Sequence, residues 1–325
     1  MRAAAPFPSE VRVAFGTGVL LGFWQARLSV APTTAHLLVY SPDGCSANCG
    51  FCAQARGSRA NPDLLSRVPW PVVRFREVVE RLKGCSVFRR VCCQGMNFPG
   101  AVDVLFRMVS ELQSCGLPLS VCCQPLSPEE MERFRELGVE RVCVPLDGAS
   151  PEIFDKVKGE RAGGPYRWEE HWNSLREATT IFRGRVTTHL LVGLGETEEE
   201  IFNCLLRLRE LGVEVALFAF TPIRGTALEH LSPPSLKTYR RVQMARYLLF
   251  RGEGGVSLRN GRLVFQGERA WRAVESGEPF LTSGCPGCNR PFFNESPRGP
   301  IYNFPRMPTR EELREIRSQL APAME

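Results

Sequence analysis

Strand-like and helix-like segments alternate along most of this chain, and the alternation restricts its fold more than any other feature. From about residue 35 to residue 251, short apolar runs are separated by amphipathic stretches. The runs are apolar at successive positions, as expected of strands that are buried on both faces. The pattern therefore predicts an α/β fold with parallel strands, in a partial or full TIM-type (β/α) barrel.

Six strands and six long helices are predicted in this region. The strands cover residues 35–41, 88–93, 117–123, 141–146, 186–192 and 213–220. The helices cover residues 71–83, 101–114, 128–137, 167–182, 198–211 and 235–251. Ser127 with Glu130, and Thr197 with Glu200, have the spacing of a capping box, and Ser150 precedes a proline that favours a helix start.

The chain divides into three parts on this pattern. Residues 1–34 are expected to form a helical extension, and residues 35–282 the barrel. Residues 283–325 form a tail that is rich in Gly, Pro and Asn up to residue 308 and then predicts a final helix capped by Thr309. We expect this tail to be ordered against the barrel as a lid.

Composition excludes several classes of protein. Of 325 residues, 43% are hydrophobic and 23% are charged, which is typical of a folded globular protein rather than a disordered one. The longest uncharged apolar run, residues 13–26, is shorter than the roughly 20 residues of a membrane helix. The net charge of +6 is spread along the chain without a basic arm, so we expect neither nucleic-acid nor membrane binding. With no signal peptide recognised, a cytoplasmic location is expected.

The 13 cysteines are unusual for such a protein. An odd number in a reducing compartment cannot all form disulfides, so metal or redox chemistry is the leading explanation. Cys45, Cys49 and Cys52 form a C-x3-C-x2-C run just after the first strand. Three thiolates on one loop can bind three irons of a 4Fe-4S cluster and leave the fourth iron open to a small molecule. A zinc loop or a chance cluster of thiols is the alternative.

A second thiol site is predicted at the mouth of the barrel. The pairs Cys92–Cys93 and Cys122–Cys123 end two neighbouring strands, and the tail carries a C-x2-C turn, Cys285–Cys288. Because carboxyl ends of parallel strands converge in a barrel, one thiol of each pair and both tail thiols can hold an auxiliary cluster. The alternative is that one thiol of each pair faces the core and the turn is half of a zinc site. The remaining cysteines are expected to be ordinary buried thiols, namely Cys85, Cys115, Cys143 and Cys204.

The cysteine loop, its position after the first strand and Phe51 before its last cysteine resemble the radical S-adenosylmethionine (radical SAM) superfamily. The resemblance implies a 4Fe-4S cluster and S-adenosylmethionine, which together generate a 5′-deoxyadenosyl radical. It also implies where the protein would contact S-adenosylmethionine. The methionine amino group would lie near Gln94 and Gly95, the ribose at Asp147, and the adenine near the stretch 189–196 and the loop 223–226. The residues expected to contact S-adenosylmethionine are thus Phe51, Gln94, Gly95, Asp147, His171, His189, Gly193 and Ile223.

His171 is placed in that set because it lies near the position of a carboxylate-binding arginine in biotin synthase, and a protonated imidazole can do the same work. An exposed helix histidine is the alternative. His189 stands where the adenine motif of the superfamily usually begins with glycine.

Within the superfamily the chain resembles biotin synthase, and more closely the two-protein lipoyl synthases of archaea and bacteria. Biotin synthase carries Val-Cys on the same two strands, which favours Cys92 and Cys122 as auxiliary ligands, but its third cysteine corresponds to Thr187 here. The lipoyl synthase resemblance rests on the strings at residues 91–100, 163–169, 285–291 and 302–306.

The resemblance implies a sulfurtransferase with two 4Fe-4S clusters and S-adenosylmethionine. It would insert sulfur from the auxiliary cluster into an octanoyl chain on a lysine of a lipoyl-carrier protein. A partner radical SAM subunit and an electron donor such as ferredoxin or flavodoxin are implied as well. No catalytic residue is assigned beyond the cluster ligands. The alternatives are biotin formation, carbon rearrangement or methylthiolation and, least favoured, a non-catalytic iron-sulfur or zinc protein.

Overall fold

Parallel strands that alternate with helices form the framework of this protein. The computed structural model describes residues 9–325. Up to the last parallel strand the elements are β1 (Glu10–Val13), α1 (Phe15–Leu20), β2 (Thr34–Val39), β3 (Leu64–Leu65), β4 (Val68–Pro69), β5 (Val72–Arg74), α2 (Phe75–Lys83), β6 (Arg90–Gln94), α3 (Ala101–Leu112), β7 (Leu119–Cys122), α4 (Pro128–Glu136), β8 (Val139–Cys143), α5 (Pro151–Val157), α6 (Trp168–Phe182), β9 (Val186–Val192), α7 (Glu198–Glu210) and β10 (Glu214–Ala219). The elements that follow are α8 (Leu236–Arg251), β11 (Val256–Arg259), β12 (Arg262–Phe265), α9 (Glu268–Ser276) and α10 (Arg310–Leu320).

Eight of these strands form one sheet, in the order β10-β9-β8-β7-β6-β2-β1-β5. Every neighbouring pair from β2 to β10 is parallel. Strand β1 is antiparallel to both of its neighbours, β2 and β5. Helices connect the successive parallel strands, so the predicted (β/α) barrel is confirmed in its partial form. Among the described residues, no helix is both long and apolar enough to cross a membrane.

The two faces of the parallel strands have different surroundings. Val91, Val121 and Val142 are fully buried in the main apolar core, together with residues of the surrounding helices. The neighbouring positions Cys92 and Ser120 border a cavity inside the barrel. Because side chains alternate between the faces of a strand, the apolar core lies outside the sheet and a more polar interior lies within it.

The described part of the amino-terminal extension, residues 9–34, differs from the helical segment that was expected. Strand β1 joins the main sheet, where Val11 is opposite both Val39 and Val73, and only the short helix α1 follows it. The predicted helix at residues 71–83 likewise starts with β5, which pairs with β1. Both corrections have one cause: pairing between distant strands provides backbone hydrogen bonds that the local pattern does not reveal.

The predicted helix starts agree with the structure. Ser127, Thr197 and Thr309 each accept a hydrogen bond from the backbone of the glutamate three residues later, and each forms a capping box. Ser150 accepts a bond from the Ile153 amide at the start of α5. These interactions are local, which is why the sequence reveals them.

The tail fills the gap that the open sheet leaves between β10 and the start of β2. On one side the Leu217 amide of β10 donates to the Ser283 hydroxyl at 2.9 Å. On the other side the Thr33 amide, just before β2, donates to the Asn289 side-chain oxygen at 2.9 Å. The tail therefore connects the first and last parallel strands, and it places Cys285 and Cys288 between them.

The close approach of the tail to β10 gives a testable prediction. A Cβ on Gly284, whose φ is +109°, would lie 2.7 Å from the Ala216 Cβ, whereas a Cβ on Gly287, whose φ is +73°, would meet nothing within 4 Å. We expect Gly284→Ala to lower the free energy of unfolding by about 2–4 kcal/mol, through backbone strain and overpacking. The matched Gly287→Ala should cost only about 1 kcal/mol. Urea unfolding measures both, and equal losses would contradict tight docking of the tail.

Candidate active site

One cavity inside the partial barrel contains both predicted thiol sites. Its volume is about 250 Å³, and inward-facing residues of β2, β6 to β10 and the tail line it. The cysteines that border it are Cys45, Cys49, Cys52, Cys92, Cys122, Cys123, Cys143, Cys285 and Cys288. Groups bound at the two sites would therefore share one enclosed space.

The first thiol group lies on the loop that follows β2. The loop is held by the Gly50 amide, which donates to the Val157 carbonyl at the end of α5 at 2.7 Å, and by the Asn48 amide group, which donates to the Ala162 carbonyl at 2.6 Å. The Asn97 amide donates to the Cys45 Sγ at 3.4 Å. This loop is thus fixed on two sides by segments that follow other strands.

The thiols of this loop fit an iron-sulfur cluster. Burial raises the pKa of Cys52 to about 12 and raises the pKa of Cys49 even more, and the neighbouring thiols add to the effect. Buried thiols that lie together ionise readily only when a cation compensates their charge. Iron with sulfide is a soft acceptor for such a set of three thiolates.

The four cysteines expected to form the second thiol group, Cys92, Cys122, Cys285 and Cys288, all border the cavity. Burial raises the pKa of the Cys92 thiol, and the nearby thiols of Cys122, Cys285 and Cys288 add to the effect. Cys93 points into the main apolar core instead. Cys123 also packs in that core, although it borders the cavity as well. Strand alternation thus favours Cys92 over Cys93, and iron ligation by this group remains a prediction.

Buried arginines add positive charge beside the second thiol group. Arg90 and Arg141 border the cavity, and in the described part of the chain the Nε and Nη1 atoms of each have no hydrogen-bond partner. Burial raises the pKa of Cys285, and the nearby charges of Arg141 and Arg290 oppose this shift. Buried donors without partners are costly, so they fit an interior that binds an anionic group such as a thiolate-ligated cluster.

Sequence reasoning missed two residues of this region. It assigned Cys143 no role, yet the Sγ atoms of Cys122 and Cys143 and a ring nitrogen of His189 all lie within 4.8 Å of one another. It also gave no role to His36, whose Nε2 is 3.7 Å from the Cys288 Sγ. One feature of the sequence could have indicated Cys143. It lies four residues before Asp147, which the sequence analysis placed at the barrel mouth.

The expected contacts of S-adenosylmethionine fall into two sets. The residues that border the cavity are Phe51, Gln94, Gly95, Asp147 and His189, whereas His171, Gly193 and Ile223 do not border it. Among the first five, His189 lies against the Cys122 thiol, with its Nε2 3.9 Å from the Cys122 Sγ. The His189 ring therefore lies beside the second thiol group, and its contact with adenine remains a prediction.

Asp147 has a partner that the sequence did not reveal. Its Oδ2 accepts a hydrogen bond at 2.8 Å from the Nζ of Lys158, whose side chain is 0% exposed. Lys158 also donates to the Pro145 carbonyl at 2.8 Å. Asp147 has a φ of +66°, a conformation that a non-glycine residue adopts only when its surroundings hold it. Lys158 thus fixes the carboxylate expected to bind ribose.

Gly193 and Ile223 stabilise loops beside the cavity and do not border it, so their contacts with S-adenosylmethionine remain predictions. The Gly193 amide donates to the Glu196 carboxylate at 2.6 Å, and a Cβ on Gly193 would lie 2.7 Å from Pro234. The Ile223 carbonyl accepts hydrogen bonds from both the amide and the hydroxyl of Thr226.

His171 is not the exposed helix histidine that the alternative interpretation expected. Its side chain is fully buried, with Nδ1 3.0 Å from the Arg167 carbonyl and Nε2 3.0 Å from the Gln124 Oε1. Burial, followed by the charge of Lys158, lowers the pKa of His171 to about 2. A neutral imidazole forms no ion pair with a carboxylate, and the Nε2 of His171 contacts Gln124 at the cavity wall.

Comparison with known proteins identifies the family. A model described as the radical SAM superfamily matches residues 39–217, which is more than half of the chain. The chain belongs to the radical SAM superfamily, and membership implies one 4Fe-4S cluster and S-adenosylmethionine.

Its curated relatives include biotin synthases, so the protein is biotin synthase-like. That of Aquifex aeolicus is 25% identical over 194 residues, covering 57% of this chain and 55% of the relative. The biotin synthase of Clostridium acetobutylicum is 25% identical over 217 residues, which cover 63% of this chain and 62% of that relative. The chain therefore matches less than two thirds of the length of these relatives. The biotin synthase of Synechococcus elongatus is 26% identical over 274 residues, which cover 78% of this chain and 80% of that relative.

Two solved structures share the fold. Methylornithine synthase has a TM-score of 0.53 and 17% sequence identity, covering 73% of this chain and 67% of that one. The hydrogenase maturase HydG from Carboxydothermus hydrogenoformans has a TM-score of 0.51 and 18% identity, covering 72% and 53%. At these identities the likeness concerns the fold alone.

The buried state of His171 predicts a pH dependence of stability. Its folded pKa of about 2 lies below the ordinary value of 6.5, so the unfolded chain binds a proton that the folded chain excludes. Stability is therefore lost as pH falls below 6.5, by up to about 1.4 kcal/mol per pH unit from this group. We expect His171→Gln to make the slope of unfolding free energy against pH shallower by this amount between pH 6 and 5. Urea unfolding of the variant measures it, with the exposed His230→Gln as control. An unchanged slope in His171→Gln would show that His171 titrates normally.

Proposed function

We propose that this protein inserts sulfur into an unactivated C–H bond of an octanoyl chain carried on a protein lysine. The observation that carries the proposal is the presence of two separate thiol groups on one cavity. A radical SAM enzyme needs only the first group to generate its radical. A second group built from β6, β7 and the tail supports a reaction that also needs a sulfur source close to the substrate.

The residues have distinct tasks in this proposal. Cys45, Cys49 and Cys52 would hold the cluster that, with S-adenosylmethionine, supplies a hydrogen-abstracting radical, and the second group would hold an auxiliary 4Fe-4S cluster that supplies sulfide. Asp147, fixed by Lys158, would orient the ribose. Apolar side chains bordering the cavity, such as Leu191 and Phe218, would exclude water and other hydrogen donors from the radical.

The tail supports sulfur insertion in a way that differs from biotin synthase. Thr187 corresponds by resemblance to the position of the third auxiliary cysteine of biotin synthase. The Thr187 Oγ1 lies 3.8 Å from the Cys285 Sγ. A tail thiol therefore lies beside the position where a strand thiol is missing. With Cys288, the second group still offers four thiolates, as one 4Fe-4S cluster requires.

The choice of an octanoyl-lysyl substrate rests on the resemblance of the strings at residues 163–169, 285–291 and 302–306 to two-protein lipoyl synthases. The net charge of +6 suits an acidic carrier domain. A second radical SAM subunit and an electron donor such as ferredoxin or flavodoxin are part of the proposal. Biotin formation is the second candidate, because the relatives named above are biotin synthases.

Substitutions in the two thiol groups should separate their roles. We expect Cys45→Ala, Cys49→Ala or Cys52→Ala to abolish cleavage of S-adenosylmethionine, because the first cluster loses a ligand. The double variant Cys285→Ala/Cys288→Ala should retain cleavage and lose sulfur insertion. Formation of 5′-deoxyadenosine and of thiolated product measures each step, and Cys204→Ala, a core thiol, is the control. Loss of both steps in a folded tail variant would contradict the division of roles.

The experiment that tests the function combines metal analysis with two substrates. The anaerobically reconstituted protein is analysed for iron and sulfide, then incubated with S-adenosylmethionine, a reductant and either an octanoyl-lysyl peptide or dethiobiotin. We expect about eight irons per chain, as two four-iron clusters require, and a thiolated peptide. Sulfur in dethiobiotin alone would establish the second candidate. About four irons with 5′-deoxyadenosine and neither product would exclude sulfur insertion.

A further inference from the structure

Three potential metal ligands from consecutive strands meet inside the barrel. Cys122 ends β7, Cys143 ends β8 and His189 lies in β9, and Cys122 is directly opposite Cys143 in the parallel register. One ligand atom from each lies within 4.8 Å of the other two, and all three residues border the cavity. Cys143 belongs neither to the first thiol group nor to the four cysteines of the second.

We propose that Cys122, Cys143 and His189 form a binding site for a single divalent transition-metal ion. Two thiolates and one imidazole are ligands typical of Zn²⁺, Fe²⁺ and Co²⁺ rather than of Mg²⁺ or Ca²⁺. Since all three residues border the cavity, a fourth ligand can reach the ion from that space. The site does not depend on the identity of the substrate, so it goes beyond the proposed function.

The distances match a tetrahedral ion after a small adjustment. Metal–sulfur and metal–nitrogen bonds of about 2.3 Å and 2.0 Å place tetrahedral ligand atoms about 3.5–3.8 Å apart. The Cys122 Sγ and the His189 Nε2 are 3.9 Å apart, and no pair in the set exceeds 4.8 Å. Movement of the thiols by less than about 1 Å, within reach of χ1 rotation, would complete the site.

Neighbouring residues fix the His189 backbone and pack against its ring. Its ring lies 4.8 Å from that of Phe218, measured between centroids, and its carbonyl accepts the Asp147 amide at 2.8 Å. His36, a buried histidine that also borders the cavity, contacts Cys288 and takes no part in the three-residue set. His36 therefore provides a matched control for His189.

Cys122 is common to this set and to the second thiol group. A single ion that uses all three donors therefore competes with a cluster bound through Cys92, Cys122, Cys285 and Cys288. The two occupants would exclude each other, and the single-ion site is filled only when the auxiliary cluster is absent.

The test uses the full-length chain with Cys285→Ala and Cys288→Ala, reconstituted with its first 4Fe-4S cluster. The protein is dialysed against Zn²⁺, bound zinc is counted by elemental analysis, and zinc X-ray absorption identifies the ligands. We expect one Zn²⁺ per chain with two sulfur ligands and one imidazole nitrogen. In this background, Cys143→Ala and His189→Ala should each weaken binding by about 100-fold or more, since even outer-shell changes cost 10–100-fold.

The controls make the result decisive. His36→Ala, and Cys93→Ala on the neighbouring strand, should bind Zn²⁺ like the parent protein. Cys143→Ser and His189→Gln, which preserve side-chain volume more closely, should also weaken binding, and circular dichroism checks their folding. Absence of zinc binding, binding unaffected by the changes at Cys143 and His189, or binding lost only in Cys92→Ala would overturn the proposal.

Discussion

The alternation of side chains along the parallel strands governs the rest of this structure. On β6, Val91 packs in the main apolar core while Arg90 and Cys92 border the cavity, and on β7 Leu119 packs in that core while Ser120 borders the cavity. The apolar side supplies the burial that stabilises the fold. The inner side carries thiols and unpaired arginine nitrogens, which are costly to bury without a bound group. Burial of the outer face therefore offsets the free-energy cost of the polar groups on the inner face.

The tail closes the gap between the first and last parallel strands of the open sheet. A full barrel closes by pairing its first and last strands, but here a loop without regular strands connects β10 to the start of β2 through Ser283 and Asn289. Such a loop can carry cysteines and Arg290 into the interior without following the alternation of a strand. The composition of the second thiol group therefore depends on long-range docking, and the same docking covers the cavity.

Burial around the cavity decides the conformation and the partners of several polar residues, which local motifs do not reveal. Asp147 keeps an uncommon backbone conformation beside the fully buried Lys158. His171, on a neighbouring helix, is kept neutral by burial and by that same lysine charge. His189 stands in an adenine-type motif, yet its ring faces Cys122. In each case the partners of the side chain follow from its surroundings in the tertiary structure rather than from the motif that contains it.

The sequence by itself determined the class of fold, the helix starts and the first cysteine loop, and it predicted that thiols at two strand ends and in the tail would meet. These features depend on short windows: apolar periodicity, capping boxes and the spacing of cysteines on one loop or at strand ends. Only the tertiary structure decided that β1 joins the sheet, that Cys92 rather than Cys93 faces the cavity, and that Lys158 holds Asp147. It alone brought Cys143 and His189 together. The physical reason is that strand register and loop docking join residues far apart in the chain, and side-chain direction follows from that pairing rather than from local sequence.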